Sequence, residues 1–109
     1  MDKSGQTVSA TRDLDLLVAD LCNALLTAGS AEEMRRLLLD LCTPAEIRTM
    51  AERWHVARLL EEGGLPYREI HDRTGVSTTT IVRVGRFLRQ EPHQGYRNAI
   101  NRLRDSNAV

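Results

Sequence analysis

A chain of 109 residues has room for one small domain, and with 41% hydrophobic but only 4% aromatic residues its core must be built from Leu, Ile, Val and Met. No apolar run reaches the roughly 20 residues that span a bilayer, and the opening MDKSGQTVSATRD lacks the apolar stretch of a secretory signal, so a cytoplasmic protein with no membrane partner is expected. The formal net charge is zero, which taken alone argues against a polyanionic partner, but the charge is unevenly spread. Residues 1–46 carry four basic side chains against eight acids, and residues 47–109 carry eleven arginines against seven acids, net −4 and +4. Such asymmetry points to a polyanionic partner for the basic half.

In chain order, the first dozen residues have no pattern and are expected to be a disordered tail. From Asp13 to Thr27, Leu14, Leu17, Val18, Leu21 and Leu25 recur at helical spacing, widened by Leu16, Cys22 and Leu26. Gly29 ends that helix, and Ser30-Ala-Glu-Glu33 opens the next as a capping box in which hydroxyl and carboxylate satisfy free N–H groups reciprocally. The second helix carries Met34, Leu37, Leu38 and Leu41. Thr43-Pro44-Ala45-Glu46 is a second capping box with proline at the first helical position, and the third helix presents Ile47, Met50, Ala51, Trp54, Ala57 and Leu60 before Gly63-Gly64 stops it.

The segment Pro66 to Arg89 reads as two short helices hinged at Gly75, with four arginines and no acid from Arg73 to Arg89. The spacing predicts a two-turn helix from about Pro66 to Arg73 and a glycine in the left-handed conformation that leaves it. Ser77 or Thr78 then caps a second helix. In that helix Ile81, Val84 and Leu88 form a seam that packs inward, while Thr79, Val82, Arg83, Arg86 and Gln90 line a face free to enter a groove. This is the layout of a helix-turn-helix, although an arginine stripe can equally be a solvated face. His71 and Thr74 stand where many such units have a small and a large apolar residue, which predicts a wider turn. Pro92 and Gly95 punctuate the chain, Tyr96, Ile100 and Leu103 mark a last short helix, and residues 105–109 are expected to be a second disordered tail.

The fold class expected is all-α: about six short helices forming one helical domain over residues 13–104, with the reading head at about 66–89. The leucine surfaces of the first two helices exceed what so small a chain hides, which predicts a homodimer built mainly from them. Cys22 and Cys42 have no metal-binding spacing and are expected to act as small buried hydrophobes. His55, His71 and His93 are too scattered for a metal site and read as surface or helix-face residues.

With Asp40-Leu-Cys-Thr-Pro-Ala-Glu-Ile47, Arg53 to Ala57, and Thr74-Gly-Val-Ser-Thr-Thr-Thr-Ile-Val-Arg-Val84 in register over some sixty residues, the chain resembles the Trp repressor superfamily, and within it the YerC/YecD-type members. The resemblance implies an intertwined homodimer with the helix-turn-helix as a mobile reading head, acting on double-stranded DNA as a repressor at a palindromic operator. Base contacts made largely through water, as in the tryptophan repressor, suit a Thr-rich recognition helix.

The DNA-contacting residues expected are Arg68, Arg73, Ser77, Thr78, Thr79, Val82, Arg83, Arg86 and Arg89. In tryptophan-sensing members two arginines sandwich the indole, and by motif these fall on Arg53 and Arg83, with Thr43, Val84 and Phe87 completing a remnant of the pocket. Those members have glycine where Val84 stands and serine where Phe87 stands. The added side chains argue against a tryptophan corepressor, and no other cofactor is implied. A helix-turn-helix adaptor docking on the transcription machinery is the competing reading. An enzyme is disfavoured, because the sequence has no nucleophile-base pair, phosphate-cradling glycine loop or metal spacing.

Overall fold

The computed structural model describes residues 10–107, and among these there are six helices and no strand. The described chain falls into two units that divide between Thr43 and Pro44. The first holds α1 (Ala10–Leu26) and α2 (Ala31–Leu41). The second holds α3 (Pro44–Glu62), α4 (Tyr67–Thr74), α5 (Thr78–Arg89) and α6 (Gly95–Asn107). No described helix is long and apolar enough to cross a membrane.

In the first unit, α1 begins at Ala10, three residues before the hydrophobic repeat does. Residues 1–9 of the expected tail lie outside the described residues. Ser30 caps α2 as its sequence requires, its Oγ accepting from the Glu33 N–H at 3.1 Å. The Glu33 carboxylate reaches one residue further back than a capping box places it, accepting from the Gly29 N–H at 2.7 Å. Among the described side chains neither helix has a buried one: Leu17 is 67% exposed and Leu26 81%. Cys22, expected as a buried hydrophobe, is exposed, and Cys42 is half-buried. Both are free thiols.

The second unit has the core. Val56, Ala57 and Leu60 of α3, Ile70 of α4, Val76 of the turn that follows it, Ile81, Val84 and Leu88 of α5, and Ile100 of α6 form one cluster, with Trp54, Leu59, Leu65 and Tyr96 packed against it. Burying each such aliphatic side chain contributes about 1.5–3 kcal/mol. The sequence reading of α3 missed Val56, which is fully buried, and included Met50 and Ala51, which are exposed. α3 is apolar on more than one side, so its repeat alone does not say which side meets the core. α6 runs to Asn107, so Asp105 and Ser106 are helical where a tail was expected.

Candidate nucleic-acid interface

The turn between α4 and α5 is the best-tied loop of the chain. Gly75 has φ 76° and ψ 0°, left-handed as expected, and its N–H donates to the His71 carbonyl at 2.8 Å. A Cβ at Gly75 would touch nothing within 4 Å, so the need for glycine is one of backbone conformation and not of space. Thr74 Oγ1 donates to the Ile70 carbonyl at 2.7 Å and accepts from the Val76 N–H at 3.0 Å. His71 Nδ1 lies 2.8 Å from the Val76 carbonyl, which can only accept, so Nδ1 carries a proton.

The wider turn expected from His71 and Thr74 is not seen. Three residues, 75–77, connect the helices, within the usual span of a helix-turn-helix. The two polar side chains replace apolar packing with hydrogen bonds that pin the loop. Ser77 then caps α5, its Oγ accepting from the Thr80 N–H at 3.1 Å and donating to Thr80 Oγ1 at 3.0 Å. Pro66 is the N-cap of α4 and not its first residue, one position off the expected start.

With Ile81, Val84, Gly85 and Leu88 buried on one side of α5, the other side presents Thr78, Thr79, Val82, Arg83 and Arg86 to solvent. Val82 is 56% exposed and is the aliphatic side chain on this face. The arginines differ in how free they are. Arg68 makes no hydrogen bond or ion pair among the described residues. Arg73 pairs with Glu69 at 3.0 Å and Arg86 with Glu91 at 3.5 Å, both largely in solvent. Exposed pairs of this kind contribute little, about 0–1 kcal/mol, so a phosphate can displace the carboxylate. Arg83 lies over the Phe87 ring, 4.4 Å from its centroid. Arg89, expected in the groove, is instead turned back on its own chain, donating to the Leu60 carbonyl at 3.2 Å and the Tyr67 hydroxyl at 3.4 Å. Arg97, which the sequence reading did not single out, ties α6 to Glu61 at 2.8 Å.

Beside this face is a cavity of about 300 Å³ lined by Arg53, Arg83, Phe87, His93, Gly95 and Tyr96. Arg53, Arg83 and Phe87 are thus brought together as expected. Val84 is not: it is 1% exposed and part of the core, because the inward seam claims it. Thr43 belongs to the first unit, whereas every lining residue belongs to the second. Phe87 stacks nearly parallel with His93, centroids 6.0 Å apart at 13°, and Arg86 approaches the same ring at 5.1 Å. The ring is therefore held between cationic and imidazole groups of its own chain. Arg53 Nε is buried beside it with no hydrogen-bond partner among the described residues.

The sequence profile of the Trp repressor protein family matches residues 17–104. The chain belongs to the Trp repressor family. It is 41% identical over 86 residues to the protein YerC of Bacillus subtilis (strain 168), covering 79% of this chain and 81% of that one. A crystal structure of a TrpR-like protein from Eubacterium eligens superposes with a TM-score of 0.74 at 35% identity, covering 81% of this chain and 89% of the other. Trp repressor proteins are DNA-binding regulators, and the six helices without strands agree with that fold. Of the two positions expected to depart from the tryptophan-sensing pattern, Phe87 lines the cavity. The valine at 84 alters the core.

Proposed function

We propose that this member of the Trp repressor family is a sequence-specific DNA-binding regulator that acts as a homodimer on a palindromic operator, as a repressor, and without tryptophan as effector. One observation carries the reading: α5 buries an uninterrupted aliphatic seam and offers on its other side short hydroxyl and methyl-bearing side chains flanked by arginine, with no acid from Arg73 to Arg89. Thr78, Thr79 and Val82 suit base edges, Val82 by apolar contact with a thymine methyl. Arg68, Arg73, Arg83 and Arg86 suit phosphate or guanine, and Ser77, committed to its cap, positions the helix start on the groove. The uncovered leucines of α1 and α2 support pairing of two copies, which sets two reading heads about one DNA turn apart, ~34 Å.

Selection of bound fragments from sheared genomic DNA tests this. The expected result is enrichment of a few sequences with twofold-related half-sites. Retention of no fragment over the background would favour a protein-docking adaptor.

The effector reading rests on Phe87. An aromatic ring already lies against Arg83 within the cavity, and forcing a second ring beside it costs on the order of 1–3 kcal/mol or excludes the ligand. Titration calorimetry with tryptophan is expected to give no binding heat at micromolar to low millimolar ligand. A micromolar dissociation constant would overturn the reading that Phe87 excludes tryptophan.

A further inference from the structure

The middle of α5 contains a glycine, Gly85, that is buried and whose φ is not positive. Glycine in a helix interior is unfavourable relative to alanine, so its presence calls for a packing reason. The reason is the Tyr67 side chain, whose hydroxyl end occupies the space a Cβ would need. A Cβ built on Gly85 would stand 2.5 Å from the Tyr67 hydroxyl oxygen and 3.5 Å from Tyr67 Cζ. Tyr67 is the first residue of α4, so the two helices of the reading head meet through this gap.

One turn further along α5, on the same side, is Arg89. Its Nη1 donates to the Tyr67 hydroxyl at 3.4 Å and its Nη2 to the Leu60 carbonyl at 3.2 Å. Leu60 lies in the last turn of α3, where carbonyls lack an intrahelical donor and where a cation complements the helix dipole. The next residue of α3, Glu61, accepts from Arg97 Nη1 at 2.8 Å, and Arg97 Nη2 donates back to the Leu88 carbonyl of α5 at 3.5 Å. The end of α5 is thus fastened to two adjacent residues of α3 and to the start of α4.

We propose that Tyr67, Gly85 and Arg89 form a lock that sets the angle of α5 within the reading head, so that Arg89 is a positioning residue of the interface and not one of its phosphate ligands. The inference rests on the DNA-binding reading above and refines it. Arg68, Arg73 and Arg86 are free or hold carboxylates at the surface, whereas Arg89 spends its donors on a part-buried backbone carbonyl and a phenol. Leaving them would strand that carbonyl, which is costly for a group shielded from water.

The salt dependence of DNA affinity separates the two roles, because each phosphate contact adds about 0.9 to the slope of log affinity against log salt. Arg68→Gln serves as the reference for a lost phosphate contact. It is expected to flatten the slope by about 2 for a dimer that loses one contact per subunit. Arg89→Gln and Tyr67→Phe are expected to weaken binding by about 5- to 10-fold, the worth of one or two hydrogen bonds, with the wild-type slope kept. An Arg89→Gln slope flattened as far as that of Arg68→Gln would overturn the lock. If the wild-type protein shows no salt-dependent binding, it is the DNA reading that fails. The lock is then judged by urea unfolding of Tyr67→Phe, Arg89→Gln and the double variant: coupled effects support it and additive effects reject it.

Discussion

Between 50 and 200 mM salt, the affinity of this protein for its operator is expected to fall by about 10³- to 10⁵-fold, as for a dimer that neutralises about six to ten phosphates. The protein as a whole carries no formal net charge, so the response cannot come from a general attraction between a basic protein and DNA. It must come from local contacts. In the function proposed above, Arg68, Arg73, Arg83 and Arg86, present twice in a dimer, would supply them. Two of the four already hold a carboxylate in solvent, and binding exchanges Glu69 or Glu91 for a phosphate. Such an exchange keeps the guanidinium paired throughout, while counterions leave the DNA. Fluorescence anisotropy with an operator duplex across a salt series measures the slope. A flat response would remove DNA from the account and leave the adaptor reading.

Ile81→Ala is expected to destabilise the protein by about 2–5 kcal/mol, a large part of the 5–15 kcal/mol that holds a small domain folded. Ile81 is wholly buried, on the inward seam of α5, in the same cluster as Ile70 of α4 and Val56 of α3. Removing its side chain beyond Cβ loses both the transfer energy and the contacts around the cavity it leaves. Val82, the next residue, faces solvent, so Val82→Ala should change stability by less than about 0.5 kcal/mol. Urea titrations of the two variants make the comparison. A larger effect at Val82 than at Ile81 would mean that α5 is seated the other way round, with the arginine face inward.

The reading head was legible before any coordinates because its signals are local. Gly75, the Ser77 cap and the Ile81, Val84 and Leu88 seam are each set by neighbours within a turn or two, and backbone geometry admits few alternatives. The failures lie where partners are distant in the chain. Arg89 and Leu60 are 29 residues apart, and Arg97 and Glu61 are 36 apart, so nothing near either arginine marks it as internal. Arg89 was therefore expected among the DNA contacts, and Arg97 was not singled out. Val84 shows a different limit: a position taken from a family motif carries a role, but the period of α5 carries the direction of the side chain, and direction prevailed. In α3 even the period fails, because apolar residues surround the helix and only contact with α5 and α6 singles out Val56.

The uncovered leucines of α1 and α2 carry a consequence for control. If two copies pair through those leucines as proposed, that part of the chain gains its stability from association, and melting temperature should rise with protein concentration. Where two copies must meet before either can grip a palindrome, occupancy at low abundance grows with the square of the copy number. A small change in synthesis then becomes a sharper change at the promoter, with no small molecule taking part.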